Sequence, residues 1–262
     1  MAVLDELIEI SYGCAVRVAL TLTLVAVVAA GVWNLNWDTV LNLDFTGLWR
    51  FRVAIVKGFG MTLALTAAAV LCGILLGTLL AIAMQVRFRP LQWLVIGYVE
   101  TFRNTPILVQ LIWIHFALPV ITGIPTTAIV SGVIAIVLQA SAYFSEIVRA
   151  GIQAVPKGYW EASDALGIPV ITRWTHVILP PAFRTMIPPL VNMTISFFKT
   201  TAILSVLSVG ELMTVSGRIS NATFKPIEIL TLVALIYFVF GWLISLSARK
   251  IETAMANREA WR

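Results

Sequence analysis

Apolar residues run along this chain in long blocks separated by short polar stretches. Six blocks are long enough to predict a membrane-spanning helix, which needs about 20 mostly apolar residues. They cover residues 18–37, 58–84, 91–119, 128–147, 187–209 and 226–246. The polar stretches between them are too short for a soluble domain. The predicted fold class is therefore an all-α integral membrane protein with about six transmembrane helices.

The blocks differ in detail. The second carries Gly60, Gly73 and Gly77 with Thr62, Thr66, Ala69 and Ala81, small residues that let membrane helices approach closely. Phe51 to Val56, just before it, is expected to lie flat on the bilayer. The third contains Glu100, Arg103 and Pro106. Charges inside a span are costly and mark function unless they neutralise each other, and Glu100 and Arg103 are spaced to pair as i, i+3. The fourth ends in polar turns where Glu146 and Arg149 have the same spacing. Residues 211–225 read as a polar, exposed stretch, and residues 249–262 as a basic tail. Residues 1–10 are acidic, unlike the basic start of a secretory leader. The first block is thus expected as a retained span, although Ala29-Ala30 are small enough for cleavage.

Composition narrows the class. Of 262 residues, 60% are hydrophobic and 12% charged, against about 25% charged in a soluble domain. The net charge of +5 reflects Lys and Arg flanking the spans and indicates no nucleic acid. Cys14 and Cys72 are too far apart in setting to suggest a disulfide, and His115 and His176 form no metal cluster. No GxxxxGK[ST], GxSxG or HExxH occurs, so nucleotide hydrolysis and the common hydrolase chemistries are not expected of this chain.

The longest polar interruption in the second half, residues 145–189, has its own logic. Pro156 cannot continue a helix from upstream. Lys157-Gly158 then read as a loose joint. Tyr159 to Leu166 is a short helix with Glu161 placed in its first turn, where the helix dipole favours negative charge. Gly167 suits the left-handed residue that ends a helix. Pro180-Pro181 are expected to stop a second short segment. Tyr159, Trp160, Ala162, Ala165 and Leu166 make the piece too apolar for a free loop and suit a docking surface.

Within this stretch Glu161-Ala162-Ser163, three residues, Gly167, nine residues, Val177, then Ile178-Leu179-Pro180 resemble the EAA loop of bacterial ABC importer permeases. Ser163 stands for the second alanine and Val177 for an isoleucine. The segment YVETFRNTPILVQLIW at residues 98–113 resembles one found in permeases for polar amino acids, with Asn104 in place of the usual glycine. The resemblance implies a five-span core at residues 58–248, preceded by an added span and connection at residues 1–57. It implies that the loop at 150–180 couples to separate ATPase subunits through Pro156, Gly158, Tyr159, Glu161, Ala162, Ala165 and Gly167. It also implies two ATPase subunits, which hold the ATP and magnesium, a second permease subunit, and a periplasmic or lipid-anchored solute-binding protein. No cofactor belongs to this chain itself.

The last expectations concern orientation and substrate. With the loop in the cytoplasm of a bacterial cell, both termini are there too. That side then carries 11 of the 18 Lys and Arg residues and the other side 5, as the positive-inside rule requires. In the fifth block Asn192, Ser196 and Lys199 fall on one helical face, with Thr200 beside it. A lysine within a span needs a wet cavity or a partner, and every amino acid brings a carboxylate. These four, with Asn104 and Gln110, are the expected substrate-pathway residues. Where the resembled permeases often read Lys-Asp-Thr-Ser, this chain reads Lys199-Thr200-Thr201-Ala202. The missing acid favours a glutamate-, aspartate- or glutamine-like substrate over a cationic one. A stand-alone secondary transporter or channel is the alternative. It would call for related halves and midplane coupling carboxylates, which the blocks lack. A membrane-embedded enzyme would need clustered nucleophile, base or metal ligands, which are also missing.

Overall fold

The computed structural model describes residues 2–259, with side chains described for 16–250 apart from 18 and 40. It separates into two compact units, residues 1–46 and 47–262. The first holds α1 (Ala2–Trp33) and a short α2 (Trp37–Leu41), capped by the Asn36 side chain, which accepts from the Thr39 amide. The apolar stretch of α1, Ala19–Trp33, is shorter than the other spans. Cys14 and most of the basic tail lie outside the described side chains.

A 3-10 turn (Thr46–Phe51) leads into α3 (Arg52–Ala83) of the second unit. Of residues 51–56, expected on the membrane surface, Phe51 ends the 3-10 turn and the rest form the first turn of this helix, because nothing between Arg52 and Gly58 interrupts it. Next come α4 (Arg89–Asn104), α5 (Ile107–Ile112), a π-helical turn (Trp113–Ala117), α6 (Leu118–Thr122) and α7 (Ala128–Gln153). Then follow α8 (Lys157–Ala165), α9 (Val170–Thr172), a second π-helical segment (Arg173–Ile178) and α10 (Leu179–Thr200). A 3-10 segment (Thr201–Leu207), α11 (Leu212–Thr223) and α12 (Pro226–Glu259) complete the chain.

Among the described residues, four helical stretches are long and apolar enough to cross a membrane: Thr46–Ala83, Ala128–Gln153, Val170–Leu207 and Pro226–Lys250. The third expected span is not straight. Arg89–Asn104 and Ile107–Thr122 meet at 108°. Thr105 precedes a proline and is extended, with φ −97° and ψ 133°, as the proline ring demands. Gln110 braces the break, its amide donating to the Phe102 and Thr105 carbonyls at 2.9 Å each.

The fifth span also departs from expectation. Pro180 and Pro181 open α10 rather than closing the segment before it. The wider turn of the π-helical segment before them leaves room for the proline rings. The π-helical segment therefore runs directly into α10. Pro188 and Pro189 lie inside the same helix.

The core forms where α3, α7 and α10 meet, around Leu65, Ala69, Ile136, Phe144, Phe197 and Leu204. The small residues of α3 do what their size allows. Gly58, Gly73, Gly77, Thr62, Thr66, Ala69 and Ala81 are buried. A Cβ on Gly77 would fall 2.8 Å from the Ser145 nitrogen and 2.9 Å from the Ser141 carbonyl, so the two backbones touch there. Gly60, expected in this contact, has open space around it; Gly58, against Leu212 and Val215, takes that place. α4 is held to α7 by the Tyr98 hydroxyl, 2.7 Å from Ser141 Oγ and 2.9 Å from the Leu138 carbonyl.

Residues 211–225 are not the exposed loop expected. They form α11, with Glu211, Leu212, Thr214, Ser216 and Ile219 buried. Its apolar positions pack with Leu48, Ile229 and Val233. The polar positions that made it look exposed are spent on capping and internal hydrogen bonds.

Candidate functional site

The segment after α7 builds upward from one proline. Pro156 (φ −54°, ψ 141°) is itself the cap, and the helix begins at once with Lys157 and Gly158. These two are helical, not a joint. Glu161 is consequently the fifth residue of α8, outside its first turn, and gains little from the dipole, which acts over the first turn only. Ser163 faces inward and is 2% exposed, its hydroxyl donating to the Trp160 carbonyl at 2.8 Å. Trp160 meets Trp174 edge to face, centroids 5.3 Å apart.

The exit from α8 is a Schellman motif. Gly167 has φ +62°. Its N–H donates to the Asp164 carbonyl at 3.1 Å, and the Ile168 N–H donates to the Ser163 carbonyl at 3.0 Å. Arg173 returns across this turn to Asp164, Nη1 to Oδ1 2.7 Å. With Ser163 and Trp160 turned in, the opposite face is bare. Gly158, Tyr159, Glu161, Ala162, Ala165 and Leu166 are exposed, and Val170 and Ile171 continue the surface. This is a short, partly apolar helix whose outer face meets no partner among the described residues. Beneath it, Val155 packs with Ile178, Ala182 and Met186, which fixes the end of α7 to the start of α10.

The charges in and beside the third span pair differently from the sequence spacing. Glu100 accepts from the Asn104 side-chain amide at 2.6 Å. Arg103 instead reaches α7, Nη1 3.5 Å from Glu146 Oε2, with its guanidinium over the Tyr143 ring. Glu146 also takes Arg149, as its spacing predicted, at 3.0 Å to Nε and 2.6 Å to Nη2. Glu100, Glu146 and Arg149 line a cavity of about 380 Å³ with Gln92, Met84, Ile96 and Val99.

Asn192, Ser196 and Lys199 do share one exposed face of α10. Thr200 sits beside it, its hydroxyl donating to the Ser196 carbonyl at 2.9 Å. The stem of Lys199 lies alongside Gly241 of α12. Asn104 and Gln110 stand apart from this group, on α4 and α5. Between the two sets is Tyr143 of α7, whose hydroxyl donates to the Arg103 carbonyl at 3.2 Å and whose ring faces Phe197 at 6.2 Å. Gln110 is 6% exposed and committed to the helix break, with its Oε1 buried and unpaired.

Sequence reasoning missed three pairings: Arg103 with Glu146, Asp164 with Arg173, and the buried Glu211. Only the last left a sequence signal, an acid directly before an apolar helix with Thr214 three residues on.

Residues 69–257 match the family model for the binding-protein-dependent transport system inner membrane component. The chain is 32% identical to the arginine transport system permease protein ArtQ of Bacillus subtilis, covering 84% of this chain and all of that one. It is 39% identical to the putative glutamine transport system permease protein GlnP of Rickettsia conorii, covering 77% and 92%. A crystal structure of an amino acid ABC transporter with histidines superposes with a TM-score of 0.77 at 33% identity, over 81% of this chain and 99% of that one. The inward-facing MetNI methionine ABC transporter has the same fold, with a TM-score of 0.66 at 21% identity over 78% and 97%. The chain belongs to the binding-protein-dependent transport system inner membrane components, among the amino acid ABC importer permeases.

Proposed function

We propose that this chain is the membrane subunit through which an amino acid of the glutamate, aspartate or glutamine type crosses the bacterial inner membrane, driven by separate ATPase subunits docked on α8. The observation that carries the coupling half is the bare, partly apolar face of α8, held by Ser163, Trp160 and the Gly167 turn. An apolar helical face outside the spans calls for a protein partner. The complex contains two such ATPases, which supply ATP and magnesium, a second permease copy or homologue, and a solute-binding protein on the opposite face. Both termini lie in the cytoplasm.

Closure of the ATPases displaces α8, and α8 biases a two-state arrangement of the spans. The equilibrium shifts only as far as the partner binds the two states differently. For the substrate, the support is Lys199 with Asn192 and Ser196 on one face of α10. The lysine offers a counter-charge to a carboxylate, and the amide and hydroxyl offer hydrogen bonds. Named relatives carry different substrates, arginine for one and glutamate or aspartate for another, so the preference rests on Lys199 and the absence of an acid at Thr200.

Two measurements test this. Glu161→Lys should lose co-purification of the ATPase while still inserting in the membrane; retained assembly and retained transport would remove α8 from coupling. Lys199→Gln should lose amino acid uptake while ATP hydrolysis stimulated by the binding protein persists. Unchanged uptake affinity and selectivity would remove Lys199 from the pathway.

A further inference from the structure

Below the docking face, only residues 166–169 separate α8 from the helical run that leads into α10. Leaving α8 at Ala165, the chain turns at Gly167 and runs through α9 and the π-helical segment into α10. A left-handed glycine followed by Ile168 and Pro169 would swivel if nothing else held it. Arg173 is the first residue of the π-helical segment and Asp164 lies in the last turn of α8. Their 2.7 Å ion pair spans the turn at its base.

The pair is unlike an ordinary surface pair, which contributes little. The Arg173 side chain is only 21% exposed, and its Nε is buried without an acceptor. Packing therefore places the guanidinium, and the guanidinium places Asp164. A second side-chain tie across the same turn is the Trp160–Trp174 contact, one residue beyond Arg173. From Arg173 onward the helix is continuous through Lys199.

We propose that Asp164 and Arg173 form a clamp that makes α8 and the foot of α10 move as one piece, so that displacement of α8 is delivered to the face carrying Lys199. Both are positioning residues: neither touches substrate or nucleotide. The inference rests on the reading of α8 as the ATPase-docking helix. It adds where the motion goes and which side chains deliver it.

The test uses the complete complex of permease, ATPase and solute-binding protein in proteoliposomes, with glutamine and glutamate as probes. Asp164→Asn, Arg173→Gln and the swap Asp164→Arg with Arg173→Asp are compared with the unaltered chain. Asp164 is mostly exposed, so Asp164→Asn leaves the fold intact. Both single variants should keep the ATPase bound and keep hydrolysing ATP. The ATP used per amino acid imported should rise roughly 2- to 30-fold, the range over which single side chains alter coupling between distant sites. The swap should move that ratio back toward the unaltered value. An unchanged ratio in both single variants overturns the clamp, as does a swap no better than either single variant. Loss of the ATPase from the single variants also overturns it, because the pair would then serve docking alone. If the unaltered chain itself binds no ATPase, the reading of α8 fails and the clamp with it, an outcome seen before any variant is compared.

Discussion

The Arg103 guanidinium lies 3.5 Å from the Glu146 carboxylate on α7, although Glu100 stands one turn away on its own helix. Glu100 is occupied by Asn104, at 2.6 Å, and α4 is held against α7 by Tyr98. Glu146 thus serves two arginines on two helices, while Glu100 serves a local amide.

The two acids should therefore differ in consequence. Glu146→Gln leaves Arg103 and Arg149 without their shared carboxylate, at a cost of about 1–3 kcal/mol for removing a partner from partly buried charged groups. Glu100→Gln keeps an acceptor for Asn104 and should stay within about 0.5 kcal/mol of the unaltered protein, as surface changes do. Thermal unfolding in detergent compares them. Equal midpoints for the two variants would show that the α4–α7 ion pair contributes nothing.

Gly77 and Gly60 offer a second comparison within one helix. Gly77→Ala places a methyl 2.8 Å from the Ser145 nitrogen, and backbone cannot step aside as a flexible side chain can. The expected cost is about 1–3 kcal/mol, typical of overpacking. At Gly60 nothing lies within 4 Å, so Gly60→Ala should be neutral or stabilise by up to about 1 kcal/mol through helix propensity. The reverse order of the two midpoints would refute the α3–α7 contact as drawn.

The sequence made four of the spans, most of the small-residue face of α3, the Glu146–Arg149 pair and the left-handed Gly167 legible, because each depends on periodicity or on one residue's backbone preference. Other features escaped it for a common reason. Pro156 does stand between two helices as its ring requires, but Pro180, which reads as a stop, lies in the first turn of α10. Which role it takes depends on whether the turn before it can accommodate its ring, and here the π-helical segment does so. Arg103 and Arg173 find partners on other elements only once α4 is held against α7 and the Gly167 turn has set its direction. Residues 211–225 read as exposed because composition counts polar atoms without showing that they satisfy each other. On the proposed substrate-pathway face, Lys199, Asn192 and Ser196 were legible together from helical spacing, whereas the bracing of the chain break by Gln110 was not.

Gly158 inside α8 and Gly167 just past its end should separate space from conformation. Gly167 has a positive φ with nothing within 4 Å of its missing Cβ, so only backbone strain opposes substitution. Gly167→Val puts a β-branched residue in the left-handed region, a cost of about 1–3 kcal/mol, and should unwind the end of α8. Gly158 is helical and open, and Gly158→Ala should be tolerated. Co-purification of the ATPase is the measurement, lost for Gly167→Val and kept for Gly158→Ala. Loss in both would point to the surface itself, not to the turn.

Glu211 gives a prediction about pH. Its carboxylate is fully buried, accepting from the Met213 and Thr214 amides at 2.8 and 2.6 Å, the Thr214 hydroxyl at 3.0 Å and the Tyr237 hydroxyl at 3.3 Å. Next to it the Leu212 amide donates to Thr62 of α3 at 3.1 Å. One capping acid thus ties α11 to α12, with α3 alongside. Burial raises the Glu211 pKa above the ordinary carboxylate value, while the four hydrogen bonds oppose that rise without cancelling it. A group that holds its proton more tightly when folded makes the folded state bind more protons than the unfolded one, so stability falls as pH rises between the two pKa values. Its contribution is fully present below the ordinary glutamate pKa, about 4.3, and declines as pH climbs through the raised native value. The unfolding midpoint in detergent should therefore drop over that window, and Glu211→Gln should flatten that part of the profile. The same variant should lower the midpoint at low pH, since an amide offers the two backbone N–H groups one acceptor oxygen where the acid offers two. A profile in Glu211→Gln with the same slope as the unaltered protein would place the titrating group elsewhere.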